Sequence, residues 1–183
     1  MDISRLRYSG RVGEGRSLIF APKSFFYNFD DVGDNIMIVV IQRVKSGRVL
    51  IENKVYSKIN HGYVILVGFC QGDEENIVSK MAEKIANLRI MADKDGKMNL
   101  NLSQVKGEIL LVSQFTLCAD TSQRRPSFIK ALEPQKAEKL YHLLVKKLEE
   151  KNLLVKTGKF GSYMTVEIKN DGPVTIILDS KDF

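Results

Sequence analysis

Glu108-Ile109-Leu110-Leu111-Val112-Ser113, followed at once by Gln114-Phe115-Thr116, is the stretch on which the reading of the fold turns. Successive strand residues point to opposite faces, so an unbroken aliphatic run is apolar on both. Such a strand needs cover on both sides. Upstream, residues 73–88 read as a helix: Ile77, Val78, Met81, Ile85 and Leu88 fall on one face, with Asp73 as its expected cap. Downstream, Pro134 opens a second helix whose stripe is Ala137, Leu140, Tyr141, Leu144, Val145 and Leu148. Two amphipathic helices can cover one face of a large sheet but not two. The sequence therefore predicts an α/β fold, a layered α/β/β single domain with mixed sheets and two main helices.

The other strands surround this centre. Residues 38–44 form a β-branched run, and residues 48–52 and Lys54–Ile59 flank a hairpin turn at Asn53. Residues 63–70, 153–156, 163–169 and 174–179 complete the set. In residues 165–169 the apolar positions alternate strictly, so one face is expected to be wet or shared with a partner.

With 183 residues, 44 % hydrophobic and 27 % charged, the chain has the composition of an ordinary globular domain. Its longest apolar run, residues 63–70, is far short of the roughly 20 residues a membrane helix needs, so no membrane partner is expected. A formal charge of +6 suits a polyanion such as RNA, although no Lys/Arg block forms a basic tail. Cys70 and Cys118 lie in or beside apolar segments and are expected to be buried thiols rather than a disulfide. His and Cys are too few and too scattered for a zinc site, so no metal or cofactor is expected.

Residues 1–36 read differently. Arg5, Arg7, Arg11, Arg16 and Lys23 precede an acidic patch at Asp30, Asp31 and Asp34, and no regular period runs through them. They are expected to be an N-terminal extension, a targeting segment or the product of a misassigned start at a chain that begins at Met37. The domain proper is expected to span residues 37–183, in the cytoplasm.

The familiar hydrolytic constellations are missing. The sequence has no G-x-S-x-G elbow, no H-E-x-x-H and no P-loop. His61 and His142 are the only imidazoles, and structural or solvated roles suit both, so a triad is not expected. Two polar segments at strand ends are more informative: Ser113-Gln114-Phe115-Thr116, and Asn170-Asp171-Gly172-Pro173-Val174-Thr175. Taken alone, the first reads as a strand running into a loop and the second as a turn.

Together with Val40-Ile41-Gln42-Arg43-Val44, Lys84-Ile85-Ala86-Asn87-Leu88-Arg89-Ile90, Arg125-Pro126-Ser127-Phe128 and Gly158-Lys159-Phe160-Gly161, these segments closely resemble the D-aminoacyl-tRNA deacylase family. The resemblance covers residues 37–183, with a loop at residues 120–125 that departs from the family's pattern and Arg48 where small residues are common. It implies a homodimeric hydrolase that cuts the ester of D-aminoacyl-tRNA, and of mischarged glycyl-tRNA, in chiral proofreading. Ser113, Gln114, Phe115 and Thr116 would form the catalytic segment, with backbone N–H groups near Phe115 and Thr116 holding the oxyanion. Gly172 and Pro173, joined by a cis peptide bond, would enter the partner subunit's pocket, their direction fixed by Arg43. Phe160, Gly161 and Met164 would bind substrate at the adenine, and Arg124, Arg125 and Lys106 would meet phosphates. The implied partners are aminoacylated tRNA and a second copy of the chain, without DNA. The competing readings are a non-catalytic RNA-binding or synthetase-associated editing module of related fold, and a generic esterase.

Overall fold

The structure, a computed structural model, describes residues 37–182; the expectations for residues 1–36 lie outside them. Its frame is a six-stranded mixed sheet. Strand β1 (Ile38–Ile51) turns through Glu52 and Asn53, both in the left-handed region at φ 50° and 61°, into β2 (Lys54–Ile59). Strand β3 (Gly62–Gly68) then returns antiparallel to the first half of β1. Helix α1 (Glu75–Asn87) leads by way of a small hairpin, β4 (Met91–Ala92) and β5 (Met98–Leu100), to β6 (Glu108–Ser113), which lies parallel to β3. Helix α2 (Pro134–Glu149) leads to β7 (Leu154–Thr157), parallel to β6. Strand β8 (Thr165–Asp179) closes the chain along the free side of β1.

The layers are two halves of the same long strands. The pairing of β1 with β8 slips twice, between Gln42 and Val44 and between Val44 and Ser46. Such bulges bend a strand pair. Beyond them, β2 and the adjoining halves of β1 and β8 fold back over the sheet. Ser57 Oγ of β2 donates to the carbonyl of Thr157 in β7 at 2.8 Å, so the two ends of the strand order meet and the sheet is nearly closed. The expected sheet-on-sheet layering is thus present, made by bending one sheet.

Alternation in β6 then fills two cores. Ile109 and Leu111 join Val39, Ile41, Tyr63, Ile65 and the helix stripes of α1 and α2. Leu110 and Val112 join Val44, Val49, Ile59 and Val64 between the two layers. A charged substitution at any of these positions would leave an unpaired ion in one core or the other.

Four local expectations need correction. Residues 38–44 and 48–52 belong to one strand, Ile38–Ile51, which pairs with β8 on both sides of the two register shifts. Residues 165–169 and 174–179 are likewise joined in β8 (Thr165–Asp179), and the expected turn at residues 170–175 is a bulge within that strand, residues 171–174 standing out of the ladder between Asn170 and Thr175. Asp73 does not cap α1. The N-cap is Glu74, while the buried Asp73 carboxylate accepts the N–H groups of Met37 (2.8 Å) and Cys70 (2.7 Å). Those donors would otherwise be buried unpaired, which outweighs a cap at an exposed helix start. Finally, Cys70 and Cys118 form a disulfide rather than remaining thiols. Parallel pairing of β3 with β6 brings the two strand exits together across a sequence separation of 48, which no local spacing signals.

A candidate active site at the ends of two parallel strands

Parallel strands β3 and β6 end side by side, Val67 opposite Ser113. The chain leaves β6 in a tight 3-10 turn, Phe115–Cys118, held to β3 by the Gln114 N–H donating to the Val67 carbonyl at 2.7 Å. Gly68 makes this approach possible. A Cβ there would lie 2.8 Å from Leu117 Cβ and 3.0 Å from the Gln114 carbonyl oxygen. The Cys70–Cys118 bond fastens the far end of the same turn. Within it, Gln114 Nε2 donates to Thr116 Oγ1 at 2.5 Å. With one of its two lone pairs so engaged, the Thr116 hydroxyl proton remains available to donate outward.

Ser113, Gln114 and Phe115 form the polar end of a cavity of about 790 Å³. Phe160, Gly161 and Met164 also line it, as do Phe128, Leu132 and the start of α2. Thr116 is exposed beside the mouth rather than within the lining. The apolar lining is braced from behind. Phe160 packs on Tyr141 with ring centroids 5.6 Å apart, and the Tyr141 hydroxyl donates to the Leu111 carbonyl at 2.8 Å. Burial pushes the Tyr141 phenol above its ordinary range, so it stays a neutral donor. Met164 folds over Gly158, where a Cβ would stand 2.9 Å from its sulfur.

Among the described residues lining this cavity, Glu133 is the one carboxylate. Both of its oxygens are occupied as the cap of α2, accepting the N–H groups of Gln135 and Lys136 at 3.0 and 3.2 Å. Neither His61 nor His142 lines the cavity, and both are exposed. The site therefore offers positioned backbone and amide dipoles rather than a free side-chain base.

A second cluster lies elsewhere, at the bulge of β8 against β1. Arg43 Nη1 donates to the Ile90 carbonyl at 2.8 Å, and its Nε to the Asp171 carbonyl at 3.1 Å. The same Nε pairs with the Asp171 carboxylate at 3.2 Å, with Lys45 Nζ 3.9 Å from the other oxygen. This fixes the segment carrying Gly172 and Pro173, whose shared peptide bond is cis. Both residues are exposed, and neither lines the cavity of its own chain.

The remaining sequence candidates separate. Arg124 and Arg125 are exposed in a loop closed by paired backbone bonds between Asp120 and Ser127, one residue before Phe128. Lys106 precedes β6, at the end opposite Ser113. Six strand residues put it roughly 20 Å from the cavity. Sequence reasoning missed Tyr163, which it placed inside a strand although it stands on the cavity's lip. It also missed the first turn of α2 as a wall, although Pro134 marked where that helix starts.

Comparison with known proteins finds relatives of the whole domain. The sequence profile of the family described as D-Tyr-tRNA(Tyr) deacylase matches residues 40–179. A D-aminoacyl-tRNA deacylase of Thermoanaerobacter sp. (strain X514) is 51 % identical over 146 residues, 79 % of this chain and 98 % of that protein. Among solved structures, the c-Myc DNA Unwinding Element Binding Protein superposes with a TM-score of 0.73 at 37 % identity, covering 77 % of this chain and 97 % of that one. A probable eukaryotic D-amino acid tRNA deacylase superposes with a TM-score of 0.69 over 79 % of this chain and all of its own; at 15 % identity it supports the fold alone.

Proposed function

This chain belongs to the D-Tyr-tRNA(Tyr) deacylase family, and from that membership we propose how its two clusters act together. The protein is a D-aminoacyl-tRNA deacylase, a hydrolase that cuts the ester between a D-amino acid and tRNA. Water adds to the ester carbonyl, the ribose hydroxyl leaves with a proton, and the free D-amino acid departs.

The terminal adenosine lies against Phe160, Gly161 and Met164. Its ester carbonyl faces the start of the 3-10 turn, where the first amides of a helix lack intrahelical acceptors. The N–H groups of Phe115 and Thr116 hold the developing oxyanion, a positioning and electrostatic contribution that needs no side-chain base. Thr116 orients rather than attacks, because no base is in reach to activate it. Its hydroxyl is in turn set by Gln114, with Ser113 at the strand exit.

The carrying observation is the division of labour between clusters. The cavity has the dipoles for hydrolysis, whereas the Arg43-anchored Gly172–Pro173 segment stands exposed and away from that cavity. A second copy of the chain brings the two together. Two-fold symmetry makes the exchange reciprocal and yields two equivalent composite sites. Among the described residues β8 pairs only with β1, and its free edge with the exposed Ile168 and Ile177 suits such an interface. In the composite site, Gly172 and Pro173 carbonyls receive the α-amino group. A D-residue then projects its side chain away, while an L-residue drives its Cβ into the Gly-Pro wall. Glycine, lacking Cβ, passes the same filter.

Arg124 and Arg125, next to the Phe128 side of the mouth, suit phosphates of the acceptor end; Lys106, at the far end of β6, does not. No helix among the described residues is long and apolar enough to cross a membrane. The test is release of D-tyrosine from D-tyrosyl-tRNA by the purified chain, together with its mass in solution. A monomer with full activity would contradict the composite site.

A further inference from the structure

Tyr163 is 97 % exposed and lines the mouth of the catalytic cavity. The turn that carries it is anchored on both sides. Phe160 packs against the helix-side core and Met164 against the core between the sheet layers. Gly161, in the left-handed region at φ +68°, reverses the chain, and the Ser162 N–H donates to the Lys159 carbonyl at 3.2 Å. An aromatic ring is thus held out to solvent on a fixed turn, lining the same cavity as the exposed Phe115 and Phe128, whose rings meet edge to face at 5.2 Å. A lone exposed aromatic needs no explanation, but three exposed aromatics lining one cavity are a patch with a position.

We propose that Tyr163 is the stacking platform for the nucleotide immediately preceding the terminal adenosine. This rests on the reading of the cavity as the aminoacyl-adenosine site. A cavity of about 790 Å³ accommodates the terminal nucleoside and its amino acid. The RNA strand must then leave through the mouth, and the next base emerges over the lip. Single-stranded ends are held by bases stacked on exposed aromatic rings, which every base can do because every base has a π-face. Lys159, exposed in the same turn, supplies positive charge for the adjoining phosphate.

The experiment uses the full chain with Tyr163→Ala and Tyr163→Phe. Its first readout is the Kd of a short single-stranded RNA ending in CCA, and its second is deacylation of D-tyrosyl-tRNA and of the D-tyrosyl ester of adenosine. Tyr163→Ala is expected to raise the RNA Kd at least about five-fold, the lower end of a lost stacking contact. It should raise KM for the tRNA ester similarly, keep kcat within about two-fold, and leave the adenosine ester's kinetics unchanged. Tyr163→Phe should match the wild type throughout. An RNA Kd unmoved by Tyr163→Ala overturns the proposal even in a protein that hydrolyses neither ester. Equal losses on both esters, or a loss accompanied by dissociation of the dimer, also overturn it. Failure of the wild type to hydrolyse either ester while Tyr163→Ala weakens RNA binding supports the platform and contradicts the catalytic reading.

Discussion

Gln114 and Thr116, two residues apart in one turn, are joined by a hydrogen bond of 2.5 Å from the amide nitrogen to the hydroxyl oxygen. The amide takes one acceptor position of the hydroxyl and turns its proton away from Gln114. The two side chains should therefore act as a unit. Thr116→Ala is expected to lower kcat about a hundred- to a thousand-fold, the range for removal of one positioned donor. Thr116→Ser should keep most activity, and Gln114→Ala should lose less than Thr116→Ala. In steady-state kinetics the double variant should lose little more than Thr116→Ala alone. Additive losses would show that the bond is incidental, and a trapped acyl ester on Thr116 would make it a nucleophile.

Gly172 carries a φ of +126°, where an L side chain is strained. A Cβ there would also lie 2.9 Å from Val174 Cγ2 and 3.3 Å from Arg43 Nη2. Gly172→Ala should abolish most activity while the exposed position leaves the fold intact. If the segment acts across the dimer, a mixed dimer of one Thr116→Ala chain and one Gly172→Ala chain concentrates both defects in one pocket. Isolated heterodimers should then recover about half of wild-type activity. Heterodimers as inactive as the worse homodimer would place Gly172 in its own chain's site.

Much of this layout was legible in the sequence. The apolar run at β6, the two helix stripes and the hairpin at Asn53 each follow from local periodicity. The site residues were expected only through a resemblance to a family, since Ser113–Thr116 alone reads as a loop; of them the structure gathers Ser113, Gln114, Phe115, Phe160, Gly161 and Met164 around one cavity. What escaped depends on distant pairing. Cys70 meets Cys118 only because β3 and β6 run parallel, and Asp73 is drawn from its helix by the buried N–H groups of Met37 and Cys70. Tyr163 follows the left-handed turn at Gly161, and its exposure is set by how Phe160 and Met164 anchor either side.

Asp73 makes a prediction about pH. Burial, chiefly, pushes its carboxyl from the ordinary 3.8 up to about 6; the N–H groups of Cys70 and Met37 oppose the shift, and the nearby Asp179 charge adds to it. The folded chain thus holds this proton more tightly than the unfolded chain does. Its contribution to stability is fully present below about pH 4, falls as pH rises to about 6, and is level above that. The change should be at most about 3 kcal/mol. In urea unfolding, the stability of the wild type relative to Asp73→Asn should decline between pH 4 and 6. A difference that grows with pH over that window would mean the pKa is depressed instead.

A chain beginning at Met37 should be folded, dimeric and active. The Met37 nitrogen already lies 2.8 Å from the Asp73 carboxylate, so a free α-ammonium there would gain an ion pair. Size-exclusion mass and deacylation rate check this. An insoluble or monomeric product would assign residues 1–36 a part in the domain.

The most direct measurement is hydrolysis of matched D- and L-tyrosyl-tRNA by the same enzyme preparation. A backbone wall that meets Cβ should reject the L-ester by more than about 200-fold, beyond what one methylene's worth of pocket contact provides. The expected result is release of D-tyrosine with the L-ester essentially intact. Equal rates on the two esters would contradict the account.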